Sequence, residues 1–237
     1  MGLLEPHVRH GSRHGQVPLS LKQAPAPARR GFSVPKRGAL CDAEDTAIFR
    51  PLEQKTVRWT PLDGAGLEHL TVTPRSGSEP GLRAEGVVIG DRGGRAYGVT
   101  YRIDCTAEWT VVALSLTTTD GTALSLKADG LGRWQDGDGA ALPAFDGCLD
   151  IDLAGTPFTN TLPIRRLGLR PQDGTRSLDM VYIPFDDFVP LRDRQLYTCL
   201  EAGRLYRYAA DDRSFTADLP VDEDGLVTDY PTLFARL

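Results

Sequence analysis

The chain has 237 residues, with 27 Lys and Arg against 32 Asp and Glu and a formal net charge of −5. Its 41% hydrophobic and 25% charged residues exclude collagen-like, coiled-coil and wholly unfolded chains. No apolar run approaches the about 18 residues of a membrane-spanning helix, and no N-terminal apolar core with a small-residue cleavage site is visible, so a cytoplasmic protein without stable membrane insertion is expected.

The charge is unevenly spread. Residues 1–40 carry seven basic side chains (Arg9, Arg13, Lys22, Arg29, Arg30, Lys36 and Arg37) against Glu5 alone, so all of the net negative charge lies beyond them. That stretch also holds His7, His10 and His14 and is rich in Pro. It cannot bury enough apolar surface to offset its ordering entropy, so residues 1–45 are expected to be a basic, disordered extension and residues 46–237 a single domain. The acidic remainder repels phosphates, which argues against a nucleic-acid partner.

From about residue 55 the pattern alternates with period two. In the segment 67–72, Glu68, Leu70 and Val72 share one face and Leu67, His69 and Thr71 the other. In 97–105, Tyr97, Val99, Tyr101, Ile103 and Cys105 share a face. Further strands are expected over 109–119, 122–128, 131–135, 178–185, 195–200 and 204–208. Between them stand Asp-Gly pairs such as Asp120-Gly121, Asp129-Gly130 and Asp224-Gly225, which tolerate the positive φ of tight hairpin turns. Ten or more short strands at this spacing predict a mainly β fold, a meandering antiparallel sheet that hides its edges by rolling up.

Helical signals are few. Over 158–167, Thr and Asn residues are available as N-caps, Pro163 suits a first turn and Gly168 a stop; Leu162, Ile164 and Leu167 would face a core. A second helical turn is expected over 229–234. The four cysteines, Cys41, Cys105, Cys148 and Cys199, lie far apart without Cys-x-x-Cys or Cys/His spacing. No metal site and no cofactor is therefore expected, and Cys105, Cys148 and Cys199 read as reduced core residues.

The richest stretch is 146–167. Leu149, Ile151 and Leu153 alternate with Cys148, Asp150 and Asp152, which aligns two carboxylates on one strand face about 7 Å apart. Thr156, Thr159, Asn160 and Thr161 follow, then Arg165 and Arg166. Such a set suits a polyol or phosphate headgroup, since Arg forks onto phosphate and Asp accepts from sugar hydroxyls. The same groups also suit plain capping and an Asp–Arg ion pair. Glu68 stands apart: if its face turns inward, the carboxyl is buried and needs a partner, for which Arg102, Arg165 and Arg166 are the candidates.

The string Asp146-Gly-Cys-Leu-Asp-Ile-Asp, continuing to Thr156-Pro-Phe-Thr-Asn-Thr-Leu-Pro-Ile-Arg-Arg-Leu167, resembles the signature of the glycolipid-binding protein family of bacteria. Trp59, Gly66 to Leu70, Gly86, Gly90, Tyr101 to Ile103, Trp109, Val181 to Ile183, Tyr206 to Tyr208 and Gly225 to Phe234 match as well. The resemblance spans about residues 55–237. It implies a spiral β-roll, a many-stranded antiparallel sheet wrapped around a single α-helix, that forms a homodimer and is remotely similar to lipoprotein localisation factors. It also implies binding of a glycolipid or other amphipathic small molecule in glycolipid metabolism or transport, without catalysis.

The ligand-binding candidates are Asp150, Asp152, Thr159, Asn160, Arg165, Arg166, Glu68, Tyr101 and Trp109. Trp59 and Trp134 join Tyr101 and Trp109 as expected walls of an apolar hollow, because aromatics stack on sugar faces. Two other readings stay open. One is a dimeric scaffold whose roll its own helix fills. The other is a carboxylate-dependent glycoside or ester hydrolase, although the chain lacks a Gly-x-Ser-x-Gly elbow and has only His69 outside the extension.

Overall fold

The computed structural model describes residues 47–92 and 95–237. The basic extension expected over 1–45 lies outside the described residues, as does Cys41.

Seven strands follow one another as a meander: β1 (Lys55–Pro61), β2 (Leu67–Arg75), β3 (Gly81–Arg92), β4 (Arg95–Thr106), β5 (Val111–Thr118), β6 (Ala123–Ala128) and β7 (Trp134–Asp136). Then come β8 (Asp150–Leu153), helix α1 (Phe158–Leu167), β9 (Thr175–Ile183), β10 (Leu191–Glu201), β11 (Leu205–Ala210) and β12 (Thr216–Pro220). The chain ends with β13 (Asp229–Tyr230) and β14 (Phe234–Arg236). Nine strands form one sheet in the order β13-β14-β1-β2-β3-β4-β5-β6-β7, and five form a second in the order β12-β11-β10-β9-β8. The C-terminal β14 returns to pair with β1, with Trp59 opposite Arg236, so the two ends of the domain close on each other.

Side-chain alternation decides which way each strand faces. On β2, Glu68, Leu70 and Val72 are buried, and on β4 so are Val99, Tyr101, Ile103 and Cys105. Period-two patterning places one whole set inward, as the sequence indicates. The turns follow their chemistry too: Asp129 Oδ1 accepts the amides of Leu131 (2.7 Å) and Arg133 (3.0 Å), and Gly130 takes φ +76°.

Helix α1 is the pivot between the sheets, with Phe158 to Ile164 all buried. Phe158 and Leu162 enter the core under the large sheet with Trp59, Trp109, Trp134, Ile151 and Leu153. Ile164 enters a second core with Tyr197, Tyr206, Leu219 and Tyr230. The fold is thus mainly β, rolled around the one α-helix of the described residues. Cys105, Cys148 and Cys199 are free thiols in these cores.

Three expectations are corrected. The sheets are not antiparallel throughout: β8 and β9 pair in parallel, Asp150 opposite Met180, because α1 carries the chain back along β8 before β9 begins. The helix starts earlier than its polar residues suggest. Pro157 already has helical backbone angles (φ −67°, ψ −14°), and the Thr156 hydroxyl accepts the Phe158 amide at 3.0 Å, so Thr159, Asn160 and Thr161 are helical and Pro163 is interior. The helix does stop at Gly168, at φ +52°. Finally, residues 229–234 belong to the β13–β14 hairpin rather than to a helical turn, with 231–233 as its turn and Thr232 at φ +69°.

Candidate functional site

The parallel unit β8–α1 places the polar groups. Asp150 and Asp152 project from one face of β8, while Ile151 and Leu153 pack into the core behind them. Thr159 and Arg166 are seven residues apart, two helical turns, and so share a helix face. Helix and strand run in opposite senses, so Arg166 meets Asp150 and Thr159 meets Asp152. Arg166 Nε donates to Asp150 Oδ1 at 3.1 Å and its Nη2 to Oδ2, a two-pronged pair that leaves Asp150 fully buried. Asp152 Oδ1 accepts from the Thr159 hydroxyl at 3.1 Å and Oδ2 from Gln195 Nε2 at 2.7 Å. Burial raises both carboxyls above the usual carboxylate range, against the opposing effect of Arg166 at Asp150 and of Gln195 and Thr159 at Asp152.

The network continues from Asp152. The Tyr197 hydroxyl donates to Gln195 Oε1 at 3.3 Å and accepts from Asn160 Nδ2 at 2.9 Å. Its outer surface is the wall of a cleft of about 680 Å3, which lies between the ends of the two sheets at the N-terminal end of α1. Asp152 and Asn160 line it together with the aromatic side chains of Tyr97, Tyr182, Phe185, Tyr208, Phe215, Tyr230 and Phe234. Tyr208, Phe215 and Tyr230 form one tilted cluster with ring centroids 6.0 to 6.4 Å apart. Phe185 meets Tyr97 edge-on at 5.1 Å and lies over Gly155, where any Cβ would strike its ring.

Glu68 lies elsewhere. Its carboxyl is buried on β2, and its partner is a neutral phenol rather than Arg102, Arg165 or Arg166: the Tyr101 hydroxyl donates to Oε1 at 2.5 Å. Tyr101 sits two strands away on β4, so its ring must cross β3. It does so over Gly86, where a Cβ would fall 2.3 Å from the ring. Glu68 Oε2 has no hydrogen-bond partner, and burial pushes the carboxyl up to about 8, so it is protonated at neutral pH. Burial raises the Tyr101 phenol as well, reinforced by Glu68. Arg102 instead pairs with Glu85 on the outer face.

Arg165 and Trp109 form a third place. The Arg165 guanidinium stacks on Trp109 at 4.4 Å and on Phe49 at 5.2 Å, and donates to the carbonyls of Asp224 (2.7 Å) and Arg50 (3.0 Å). Beside it is a charged seam that the sequence did not single out. Asp224, buried, accepts from Arg50 Nε at 2.5 Å and pairs with Lys55; Asp222 accepts from Lys55 at 3.0 Å and from Arg236 at 2.6 Å. These cations hold Asp224 at about 2 and keep Asp222 low despite its burial. The one available signal was Asp222-x-Asp224-Gly225, a turn whose two carboxylates have no nearby countercharge in sequence.

The candidates therefore separate. Asp152 and Asn160 reach the cleft, and Thr159 supports Asp152 from behind. Asp150 with Arg166 and Arg165 with Trp109 form contacts away from it, and Trp109, Arg165 and Arg166 line a separate pocket of about 440 Å3. Glu68 with Tyr101 is buried next to Thr156, a residue of the cleft lining. Trp59 and Trp134 are core residues whose indole N–H groups donate to the carbonyls of Val227 and Cys148, both at 2.9 Å.

The sequence pattern of the family described as putative glycolipid-binding matches residues 56–236. The chain belongs to this family. A solved structure of a DUF1089 family protein from Pseudomonas aeruginosa is 43% identical, with 71% of this chain and 92% of that chain covered and a TM-score of 0.61. Comparison with curated proteins gives no match. In this glycolipid-binding family member the signature string over 146–167 folds into β8 and α1, the unit that carries the cleft's polar side. No helix among the described residues is long and apolar enough to cross a membrane.

Proposed function

We propose that the protein binds, without chemically altering, an amphipathic molecule of glycolipid type in the cleft at the N-terminal end of α1. The observation that carries this reading is the cleft itself, where a half-buried carboxylate, Asp152, and a buried amide, Asn160, face an aromatic wall of Tyr208, Phe215 and Tyr230. Carboxylates and amides hydrogen-bond sugar hydroxyls while aromatic faces stack on the ring's C–H surface. Leu233 and Phe234 extend the lining with apolar surface suited to the start of an acyl chain. Each buried methylene contributes about 0.8 kcal/mol, so eight supply about 6 kcal/mol before ordering costs.

The family's description as glycolipid-binding supports the same ligand class. Against hydrolysis by the expected carboxylate pair stands its separation: Arg166 ties up Asp150, and of the two only Asp152 meets the cleft. The scaffold reading has the helix filling the roll, and Phe158 to Ile164 are indeed buried there; what favours a ligand over it is the open cleft of about 680 Å3 beyond that core.

The test is calorimetric titration with octyl β-D-glucopyranoside below its micelle concentration, beside methyl β-D-glucopyranoside and octanol. The expected result is saturable binding of the octyl glycoside only, weakened about tenfold in Tyr208→Ala, the loss of about 1.4 kcal/mol. Equal binding by octanol, or no binding by any of the three, contradicts the reading.

A further inference from the structure

Two aspartates on one strand face are treated differently. Asp150 is neutralised by the Arg166 guanidinium. Asp152, two residues on, accepts only from a hydroxyl and an amide, Thr159 and Gln195, and the charge that bears on it is a second carboxylate, Asp193. Asp152 borders the cleft, and the exposed Asp63 lies along the same lining. No Lys, Arg or His stands among the described lining residues.

The helix end at the cleft offers little to an anion. The Phe158 amide is taken by the Thr156 hydroxyl at 3.0 Å and the Asn160 amide by the Pro157 carbonyl at 3.2 Å. A carboxylate drawn out of water with neutral partners only is best satisfied by a cation, and an incoming phosphate or carboxylate would meet like charge. The phosphate-suited arginines of the signature string, Arg165 and Arg166, are committed elsewhere.

We infer that the cleft selects a sugar head bearing a free amino group, its ammonium set against Asp152 as the Arg166 guanidinium is set against Asp150. The inference rests on the reading of the cleft as a glycolipid site and narrows it: amino sugars bind more tightly than neutral ones, and phosphorylated heads are rejected. Asn160, Tyr208 and Tyr230 supply contacts common to all heads; Asp152 contacts every head too, and its charge adds the discrimination.

The experiment compares three octyl glycosides of one chain length by calorimetry at pH 6.5: the glucoside, its 2-amino-2-deoxy analogue and its 6-phosphate. The expected order is amine at least tenfold tighter than glucoside, with the phosphate weakest. In Asp152→Asn the ratio of amine to glucoside affinity, taken within that variant, falls to about one, whatever the change in the glucoside's own affinity. The wild-type series decides the matter even if that variant folds poorly. Equal affinity for amine and glucoside, or tightest binding of the phosphate, overturns the inference and leaves the glycolipid reading intact. An amine preference that persists in a folded Asp152→Asn overturns the assignment to Asp152, and failure of all three ligands overturns both readings.

Discussion

Gly86 shows how one residue can be fixed by a neighbour two strands away. Its missing Cβ is the passage through which Tyr101 reaches Glu68 across β3. Gly86→Ala has to displace the ring and orphan a buried carboxyl, so a loss of about 2–3 kcal/mol is expected by chemical denaturation. Glu68 itself predicts a pH signature. Its folded value of about 8 lies above the unfolded value of about 4.3, so the folded state holds the extra proton between those limits. Stability is then fully present below about pH 4 and declines as pH rises towards 8, with a limiting slope of about 1.4 kcal/mol per pH unit. In Glu68→Gln that decline should vanish; denaturation midpoints that run parallel for wild type and variant from pH 5 to 8 would contradict the buried acid. The position of Glu68 among Leu70 and Val72 is legible in the sequence as an inward-facing carboxyl. Its partner is not, because Tyr101 is 33 residues away and the link depends on a glycine in the strand between.

At the scale of elements, the β8–α1 unit carries both the architecture and the polar side of the cleft. Alternation shows that Asp150 and Asp152 share a face, and composition shows that Arg165 and Arg166 lie close behind. What separates the two arginines is the phase of the helix, which depends on where it starts. Pro157 and Thr156 start it at Phe158, and that phase turns Arg166 to Asp150 and Arg165 to Trp109 and Phe49. Removing one side of a buried pair strands the other, so Arg166→Ala is expected to cost about 3–5 kcal/mol. Arg165→Ala should also destabilise the fold, since its guanidinium binds two carbonyls and two rings, and should leave octyl glucoside affinity unchanged in the folded fraction. Loss of ligand affinity without loss of stability in Arg165→Ala would place that residue in the site.

Across the whole molecule, the roll is closed by pairings remote in sequence. β14 returns to β1, and Lys55, Arg50 and Arg236 converge on Asp222 and Asp224 beside that junction. These carboxyls are held below their usual range, so the seam's stabilisation is present above about pH 4 and fades as pH falls towards 2. Asp224→Asn should therefore be less stable than wild type at pH 7, with the difference shrinking on acidification; a constant difference down to pH 2 would deny the seam that role. Periodicity gives the strands and their faces but not a closure over some 170 residues, which explains why the seam escapes sequence reading. The same limit applies to the cleft: its aromatic wall comes from β11, β13 and the segment before β12, and only the fold brings Tyr208, Phe215 and Tyr230 to Asp152 and Asn160.

The central claim is that this cleft holds a glycolipid-type molecule, and native mass spectrometry of the protein purified from its own cells tests it most directly. The account predicts a folded chain carrying one glycolipid mass, which is lost in Tyr208→Ala. A lipid-free chain that remains lipid-free in an excess of the cells' own extracted glycolipids would contradict it.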